Sequence, residues 1–290
     1  MNILITGGNG FLGSALAENF YNLDFKVSLL VRPESDLRRL EDQIENYILY
    51  KISKESDLKN ILSESNPDII IHTACNYGRK NESILSIFDT NYRLGLLILN
   101  EALLLEKDVI FLNIGTILPL HNSLYSFSKN QFSELGKFIS SHNNKIQFKN
   151  ILLQHMYGPG DDESKFTSYV INSCLKNNKE VNLTSCNQLR DFIYIKDVVE
   201  AITIICNRFS ECDPVDIEIG SGILVPLKEF VLKSYELCNS TAILNFGAIQ
   251  YNSNQIEIPA ANLDVMNKLN WTPSYSLEKG LSETIKMETL

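Results

Sequence analysis

Tyr125-Ser126-Phe127-Ser128-Lys129 sets a phenol and an ammonium four residues apart, a spacing that puts both on one face of a helix. A phenol whose ionised form is favoured by a nearby cation can pass a proton to or from a carbonyl or alcohol oxygen. That spacing arises by chance on many helices, so its meaning depends on what the rest of the chain supplies. A partner motif stands at residues Thr6-Gly7-Gly8-Asn9-Gly10-Phe11-Leu12-Gly13, directly after the apolar run Ile3-Leu4-Ile5. Strand, tight turn and helix start in that order make a site for a dinucleotide pyrophosphate. One glycine (Gly7) makes the turn, one (Gly10) lets the backbone approach the phosphates, and one (Gly13) lets the helix press on the strand. The helix start, with Phe11 and Leu12, turns its N–H groups and positive dipole end toward the anion.

The second apolar run, Val27-Ser28-Leu29-Leu30-Val31, ends where an acidic side chain accepts hydrogen bonds from the adenosine 2′-hydroxyl in NAD-specific proteins. Val31-Arg32 occupies that place. No carboxylate there repels a 2′-phosphate, and Arg32, with Ser35, Arg38 or Arg39 a turn later, offers charge-assisted bonds to one. The expected cofactor is therefore NADPH (NADP), with NAD the alternative if these arginines are only a solvated face.

These motifs need a scaffold, and 290 residues are enough to bury a sizeable core. A composition 44% hydrophobic and 21% charged is that of an ordinary globular protein. A net charge of -9 argues against nucleic-acid or anionic-membrane partners. Cys75, Cys174, Cys186, Cys206, Cys212 and Cys238 form no Cys-x-x-Cys pair, which indicates neither zinc nor a disulfide framework but idle thiols in a reducing compartment. The chain opens on its first strand without a basic leader, and the apolar stretch Val109 to Leu120 is broken by Asn113, Gly115 and Pro119. A cytoplasmic protein with no membrane segment is expected.

Short apolar runs alternating with longer amphipathic ones predict βαβ crossovers and a parallel sheet. The expected strands are Asn2–Thr6, Lys26–Val31, Tyr47–Lys51, Asp68–Ala74, Val109–Ile114 and Gln147–Leu153, and the helices Phe11–Tyr21, Glu55–Ser63, Ile84–Leu105 and Tyr125–Ser141. After Tyr157-Gly158-Pro159-Gly160 the elements shorten and turn signals crowd at Asp213-Pro214, Gly220-Ser221-Gly222 and Thr272-Pro273. The fold class is thus α/β: a Rossmann-type doubly wound parallel sheet over 1–154 and a smaller α/β C-terminal substrate lobe over 155–290, interleaved with the first. His155 ends the sixth strand at the carboxyl edge, where ligands bind such sheets, and either touches substrate or supports residues that do. Lys165 and Lys196 either support phosphates or are solvated, and Trp271 is expected to anchor the core of the second lobe.

Taken together, the chain resembles the extended short-chain dehydrogenases/reductases, the NAD(P)-dependent sugar-nucleotide epimerases, dehydratases and ketoreductases. The resemblance runs through the Thr6–Gly13 turn, Ile71-His72-Thr73-Ala74, Asn91, Tyr125 with Lys129, Tyr157-Gly158-Pro159-Gly160 and Arg190-Asp191-Phe192-Ile193-Tyr194-Ile195-Lys196-Asp197-Val198. It implies that Thr73 and Ala74 line the cofactor, that Arg190 contacts the pyrophosphate of a nucleotide-diphosphate sugar, and that two copies pair through the helices at Ile84–Leu105 and Tyr125–Ser141. His72 matches a position on the adenosine side, or is a hydrogen-bonded core histidine. Within the family, His155-Met156-Tyr157-Gly158-Pro159-Gly160-Asp161 and the short connection before Tyr125 are most similar to the CDP-abequose and CDP-paratose synthases of O-antigen deoxysugar biosynthesis.

One departure stands out. The family places a Ser or Thr just after the fifth strand, to bond the substrate oxygen, whereas direct alignment puts Ile114 there. Thr116, two residues on, takes the role if the loop bends inward, and otherwise only caps the loop. The acid pair of the family's 4,6-dehydratases is missing at Gly115-Thr116, which disfavours elimination of water. The resemblance implies NADPH-dependent reduction of a 4-keto sugar nucleotide, with Tyr125 as acid, Lys129 lowering its pKa and holding the nicotinamide ribose, and Thr116 orienting the carbonyl. An epimerase that retains its cofactor, or a non-catalytic NAD(P)-binding regulator, are the alternatives.

Overall fold

The structure is a computed structural model that describes residues 1–213, 215–250 and 257–289. Pro214, half of the expected Asp213-Pro214 turn, lies outside the described residues. The chain forms two compact units, Met1–Leu152 with Ile202–Ile217 and Leu153–Ala201 with Glu218–Leu290.

In the first unit the chain runs β1 (Asn2–Thr6), α1 (Phe11–Asn22), β2 (Lys26–Val31), β3 (Ile48–Lys51), α2 (Asp57–Ser65), β4 (Ile69–His72), α3 (Ile84–Phe88), α4 (Leu94–Ala102), β5 (Val109–Ile114), α5 (Leu124–His142) and β6 (Ile146–Leu153). The strand order β3-β2-β1-β4-β5-β6 is that of a doubly wound dinucleotide fold, and β10 (Asp216–Ile219) adds a seventh strand beside β6. β1 pairs in parallel with β2 and with β4, so the order reverses between β1 and β4. A crevice opens at such a reversal, beyond the carboxyl ends of the strands. Strands covered on both faces read as unbroken apolar runs. Accordingly Ile3, Leu4 and Ile5 are essentially inaccessible, as are Ile69, Ile70 and Ile71. On one face, Ile98, Leu99 and Ala102 of α4 and Phe132 of α5 pack with Phe111 and Phe148 of the sheet.

Most expected elements are matched to within one or two residues at each end, and two differ in kind. The fourth strand ends at His72 rather than Ala74, because Thr73 and Ala74 leave the ladder to bond Thr6. The helix expected over Ile84–Leu105 is broken by a π turn at Asp89–Arg93. The extra residue turns Asn91 inward, where its Oδ1 accepts the Asn76 N–H (2.7 Å) and its Nδ2 donates to Asn76 O (2.8 Å). Periodicity alone does not register such an insertion.

The second unit holds β7 (His155–Tyr157), α6 (Phe166–Leu175), β8 (Glu180–Leu183), β9 (Leu189–Tyr194), β11 (Leu224–Pro226), α8 (Leu227–Leu237), β12 (Ile243–Phe246), α9 (Asp264–Lys268) and α10 (Leu277–Glu288), while α7 (Ile195–Asn207) carries the chain back to the first. β9 pairs antiparallel with β11 and parallel with β7, and β8 pairs parallel with β12. Trp271 is 2% exposed and anchors this unit, with Tyr157 and Phe230 also buried in it. Two buried aspartates tie its loops down. Asp191 accepts bonds from the N–H groups of Ser221 (2.7 Å), Gly222 (3.0 Å) and Ala261 (3.0 Å) and from the Ser221 hydroxyl (2.6 Å). Asp197 accepts from the backbone of Ser274 and Tyr275 and from the Ser274 hydroxyl.

Candidate active site

The glycine turn has the shape its spacing predicts. Gly7 adopts φ +63°, which an L side chain resists, and its N–H donates to Leu30 O (2.9 Å), tying the turn to β2. A Cβ on Gly13 would collide with the Gly7 carbonyl, so only glycine lets α1 lie this close to the turn. Gly10 caps α1 without any side-chain bond to the helix end. Such an end presents backbone N–H groups to an anion. Asn9 Nδ2 donates to Asp36 O (3.0 Å), which joins this turn to the loop after β2. In that loop Arg32 is exposed, and its N–H donates to Ser35 Oγ (3.1 Å). Arg38 is committed to an exposed ion pair with Asp36 (2.7 Å).

Across the strand reversal, Thr73 Oγ1 donates to Thr6 O (2.6 Å), and Ala74 N–H donates to Thr6 Oγ1 (3.2 Å). This places Thr73 and Ala74 against the turn at Gly7. His72 is fully buried, with Nδ1 bonded to Thr6 Oγ1 (2.8 Å) and its ring against Phe132. Burial, reinforced by the Lys129 charge, drives its pKa far down and keeps it neutral. It is a core histidine.

Helix α5 begins just before the phenol. Ser123 and Ser126 form a reciprocal capping box, so Tyr125 enters on the first turn and Lys129 follows one turn on. Lys129 is held from behind by a buried polar network. The Ser133 hydroxyl lies within hydrogen-bond distance of two acceptors, Lys129 O (3.0 Å) and Asn150 Oδ1 (2.9 Å), and Asn113 Nδ2 donates to the same Asn150 oxygen (2.8 Å). Ser128 Oγ donates to Tyr125 O (2.9 Å) and accepts from Asn91 Nδ2 (2.9 Å), which links the π turn to this first turn.

Thr116 is 7% exposed, and its Oγ1 accepts the Leu118 N–H (3.2 Å), a bond that caps the loop after β5. The same side chain favours the ionised form of the Tyr125 phenol. The Tyr125 phenol does not follow the expectation of a pKa lowered by Lys129. Burial raises it, the Cys75 thiol adds to the rise, and the Thr116 side chain and the Arg79 charge counteract it only in part. The correction has a simple cause: desolvation penalises the phenolate more than these neighbours stabilise it. Lys129 is 1% exposed, and its Nζ makes no hydrogen bond with any of the described residues. Burial pushes its pKa down to about 8, against an opposing pull from Cys75. A buried ammonium without acceptors is costly unless a ligand completes it.

His155 does not end the sixth strand: β6 stops at Leu153, and His155 opens β7 in the three-stranded sheet of the second unit, opposite Phe192, with the two rings 6.2 Å apart. Arg190 lies on β9 opposite Val225 and donates to Leu189 O (2.7 Å). Lys165 caps α6 and pairs with the buried Asp161 carboxylate (2.8 Å). The catalytic and cofactor candidates therefore share the first unit, and the substrate candidates share the second.

Sequence reasoning passed over Cys75, Tyr77 and Arg79. Cys75, read as an idle thiol, acts electrostatically on both Tyr125 and Lys129. The Tyr77 ring lies 4.8 Å from that of Tyr125. No spacing rule reaches from this loop to α5, some fifty residues away; only the fold brings them together.

The geometry suits a nicotinamide dinucleotide on two observations: a turn that only glycine can form, and an ammonium that lacks an acceptor. The described residues contain no group that could hold a metal ion, and none of their helices is long and apolar enough to cross a membrane.

Known proteins resemble the chain along nearly its whole length. The family model "NAD dependent epimerase/dehydratase family" matches residues 3–220. CDP-abequose synthase of Salmonella typhimurium is 31% identical, covering 98% of this chain and 97% of its own length. dTDP-4-dehydro-6-deoxyglucose reductase of Escherichia coli is 25% identical over 98% of this chain and 96% of its own. The crystal structure of Thermotoga maritima UDP-glucose 4-epimerase with UDP-glucose superposes with a TM-score of 0.86 at 20% identity, covering 99% and 98% of the two chains. The chain belongs to the NAD dependent epimerase/dehydratase family. It is an NAD(P)-dependent enzyme of the extended short-chain dehydrogenase/reductase type, with a Rossmann-like core.

Proposed function

We propose that this enzyme reduces the 4-keto group of a nucleotide-activated deoxysugar, with NADPH as the hydride donor. The single observation that carries the proposal is the Tyr125 phenol, one helical turn from a buried Lys129 ammonium that has no hydrogen-bond partner among the described residues. The names of relatives add weight: one acts in CDP-abequose synthesis, and another is a dTDP-4-dehydro-6-deoxyglucose reductase.

A reduced nicotinamide supplies the hydride when bound. Gly7, Asn9, Gly10, Phe11, Leu12 and Gly13 cradle the pyrophosphate of the cofactor, and Thr73 and Ala74 line it from the loop after β4. Lys129 donates to the nicotinamide ribose, which gives its ammonium the acceptors the protein withholds. Arg32 takes the 2′-phosphate that distinguishes NADP from NAD. As negative charge grows on the substrate oxygen, Tyr125 gives it a proton, and Thr116 holds that oxygen by a second hydrogen bond. A phenol raised by burial stays protonated at neutral pH, which suits an acid. Arg190 faces the substrate diphosphate, with His155 and Lys165 beside the same ligand, the latter through its pair with Asp161.

Two copies pair through α3–α4 and α5, which leave Ile84, Leu85 and Phe138 at least 60% exposed; light scattering checks this. The setting is cytoplasmic deoxysugar synthesis for O-antigen or lipopolysaccharide, where NADPH and sugar nucleotides are available.

A panel of CDP-, dTDP-, GDP- and UDP-linked 4-keto sugars, assayed for NADPH oxidation, tests the proposal. Turnover of none of them defeats it. Purified protein that keeps NAD(H) through dialysis and interconverts 4-hydroxyl epimers is instead an epimerase.

A further inference from the structure

The loop after β4 carries a second arrangement around the phenol. The Tyr77 ring lies 4.8 Å from the Tyr125 ring, with their planes at 33°, an offset contact of the kind aromatic pairs favour. The Arg79 guanidinium sits over the Tyr77 ring, 4.9 Å from its centroid. The loop is anchored at both ends of the stack. Asn76 is held to the buried Asn91 by two backbone bonds, and Gly78 N–H donates to Asn76 Oδ1 (2.9 Å) while Gly78 takes φ +67°. Asn91 also donates to Ser128 of α5, whose hydroxyl in turn donates to the Tyr125 carbonyl. The same π turn therefore ties the loop and the Tyr125 turn together.

We propose that Tyr77 and Arg79 are positioning residues for Tyr125: the Tyr77 ring fixes the direction of the phenol, and the Arg79 charge stabilises the oxygen of Tyr125 once its proton has gone. The inference rests on Tyr125 being the acid of the proposed ketone reduction. In that step the proton leaves Tyr125 Oη for the substrate oxygen, and the O–H bonding pair stays on the phenolate. The electron pair that reduces the carbon arrives with the hydride of the cofactor. The groups that face Tyr125 are few. Thr116 and Arg79 favour its ionised form, and Cys75 opposes it. Lys129 lies one turn along α5, with neutral His72 behind it. Arg79 is exposed, so solvent screens its effect, and a shift of roughly half to one pH unit is expected rather than the ~1–3 of a buried pair.

The test reads ionisation without turnover. Calorimetry of NADP⁺ binding from about pH 8 to about pH 11 senses Tyr125, because a phenolate attracts the cationic ring of the oxidised cofactor and a neutral phenol does not. Burial holds the phenol above its ordinary pKa near 10, so the Tyr125 part of the rise in affinity should begin at the alkaline end of this range in the unaltered protein. The Tyr125→Phe variant isolates the Tyr125 part of that rise, since Lys129 titrates in both proteins. In Arg79→Gln the rise should move roughly half to one pH unit higher, and Arg79→Lys should restore most of it. Tyr77→Leu should lower kcat about tenfold with KM for NADPH unchanged, and Tyr77→Phe should keep both. A rise identical in Arg79→Gln and the unaltered protein overturns the role of Arg79. Normal kcat in Tyr77→Leu overturns that of Tyr77. A rise that survives whole in Tyr125→Phe belongs to another group; it defeats the assignment of Tyr125 as the acid, and this inference with it. No rise up to about pH 11 overturns the role of Arg79, since its charge would then not offset the burial of the phenol.

Discussion

Lys129→Met should make the cofactor-free protein more stable while disabling it. The Lys129 ammonium is 1% exposed, makes no hydrogen bond with any of the described residues, and has a pKa pushed from its ordinary 10.5 down to about 8. At about 1.36 kcal/mol per pH unit, that gap corresponds to roughly 3 kcal/mol of unfavourable burial. For a base whose folded-state pKa lies below the unfolded value, the penalty is fully present below the folded pKa. It is relieved as pH rises from about 8 toward 10.5. Methionine has a similar length and no charge to desolvate. Urea unfolding at pH 7 should therefore find Lys129→Met more stable by about 2–3 kcal/mol. Near pH 9.5, where Lys129 is mostly neutral in the fold, the difference should shrink by about 2 kcal/mol. NADPH binding and turnover should both be lost, because the same unpaired ammonium is proposed to hold the ribose. Saturating NADPH should reverse the order of stability, since a ligand bound only by the native state stabilises it by mass action. A Lys129→Met protein less stable than its parent at pH 7, or a difference independent of pH, would show that the ammonium already has partners and that the site is not strained in this way.

Tyr125→Phe removes the proton and keeps the ring, so kcat should fall by roughly 10²–10⁴ while NADPH affinity survives; stopped-flow reduction of a 4-keto substrate would expose any mistake as near-normal turnover. Arg32→Ala should cost about 1.5–3 kcal/mol of NADPH affinity and leave NADH nearly unchanged, and equal losses in calorimetry would remove Arg32 from the 2′-phosphate. Arg190→Ala should raise KM for the nucleotide sugar strongly in a protein that still folds; an unchanged KM would send the diphosphate elsewhere. Asp191→Ala strands three backbone N–H groups and the Ser221 hydroxyl. It should destabilise the second unit by about 3 kcal/mol or more, read as earlier loss of Trp271 fluorescence in denaturant, the chain's single tryptophan.

Much of this protein is written in short stretches of its chain. The first, second and fifth strands have the expected ends, Asn2–Thr6, Lys26–Val31 and Val109–Ile114, because parallel strands buried on both faces must be unbroken apolar runs. The glycine turn is equally local: a positive φ at Gly7 and a collision-free Gly13 are demands that glycine alone meets within a few residues. The Tyr125–Lys129 spacing needs only a helix, and Ser123 and Ser126 start that helix in place. What only the tertiary structure decided depends on contacts between distant segments and on the low dielectric they create. The π turn that aims Asn91 at Asn76 and the Tyr77–Arg79 stack on Tyr125 each join residues that no helical or strand period relates. The sign of the Tyr125 shift belongs here too. Spacing alone argues for a phenol lowered by its lysine, but a pKa is set by all the charge and water within reach, and burial prevails.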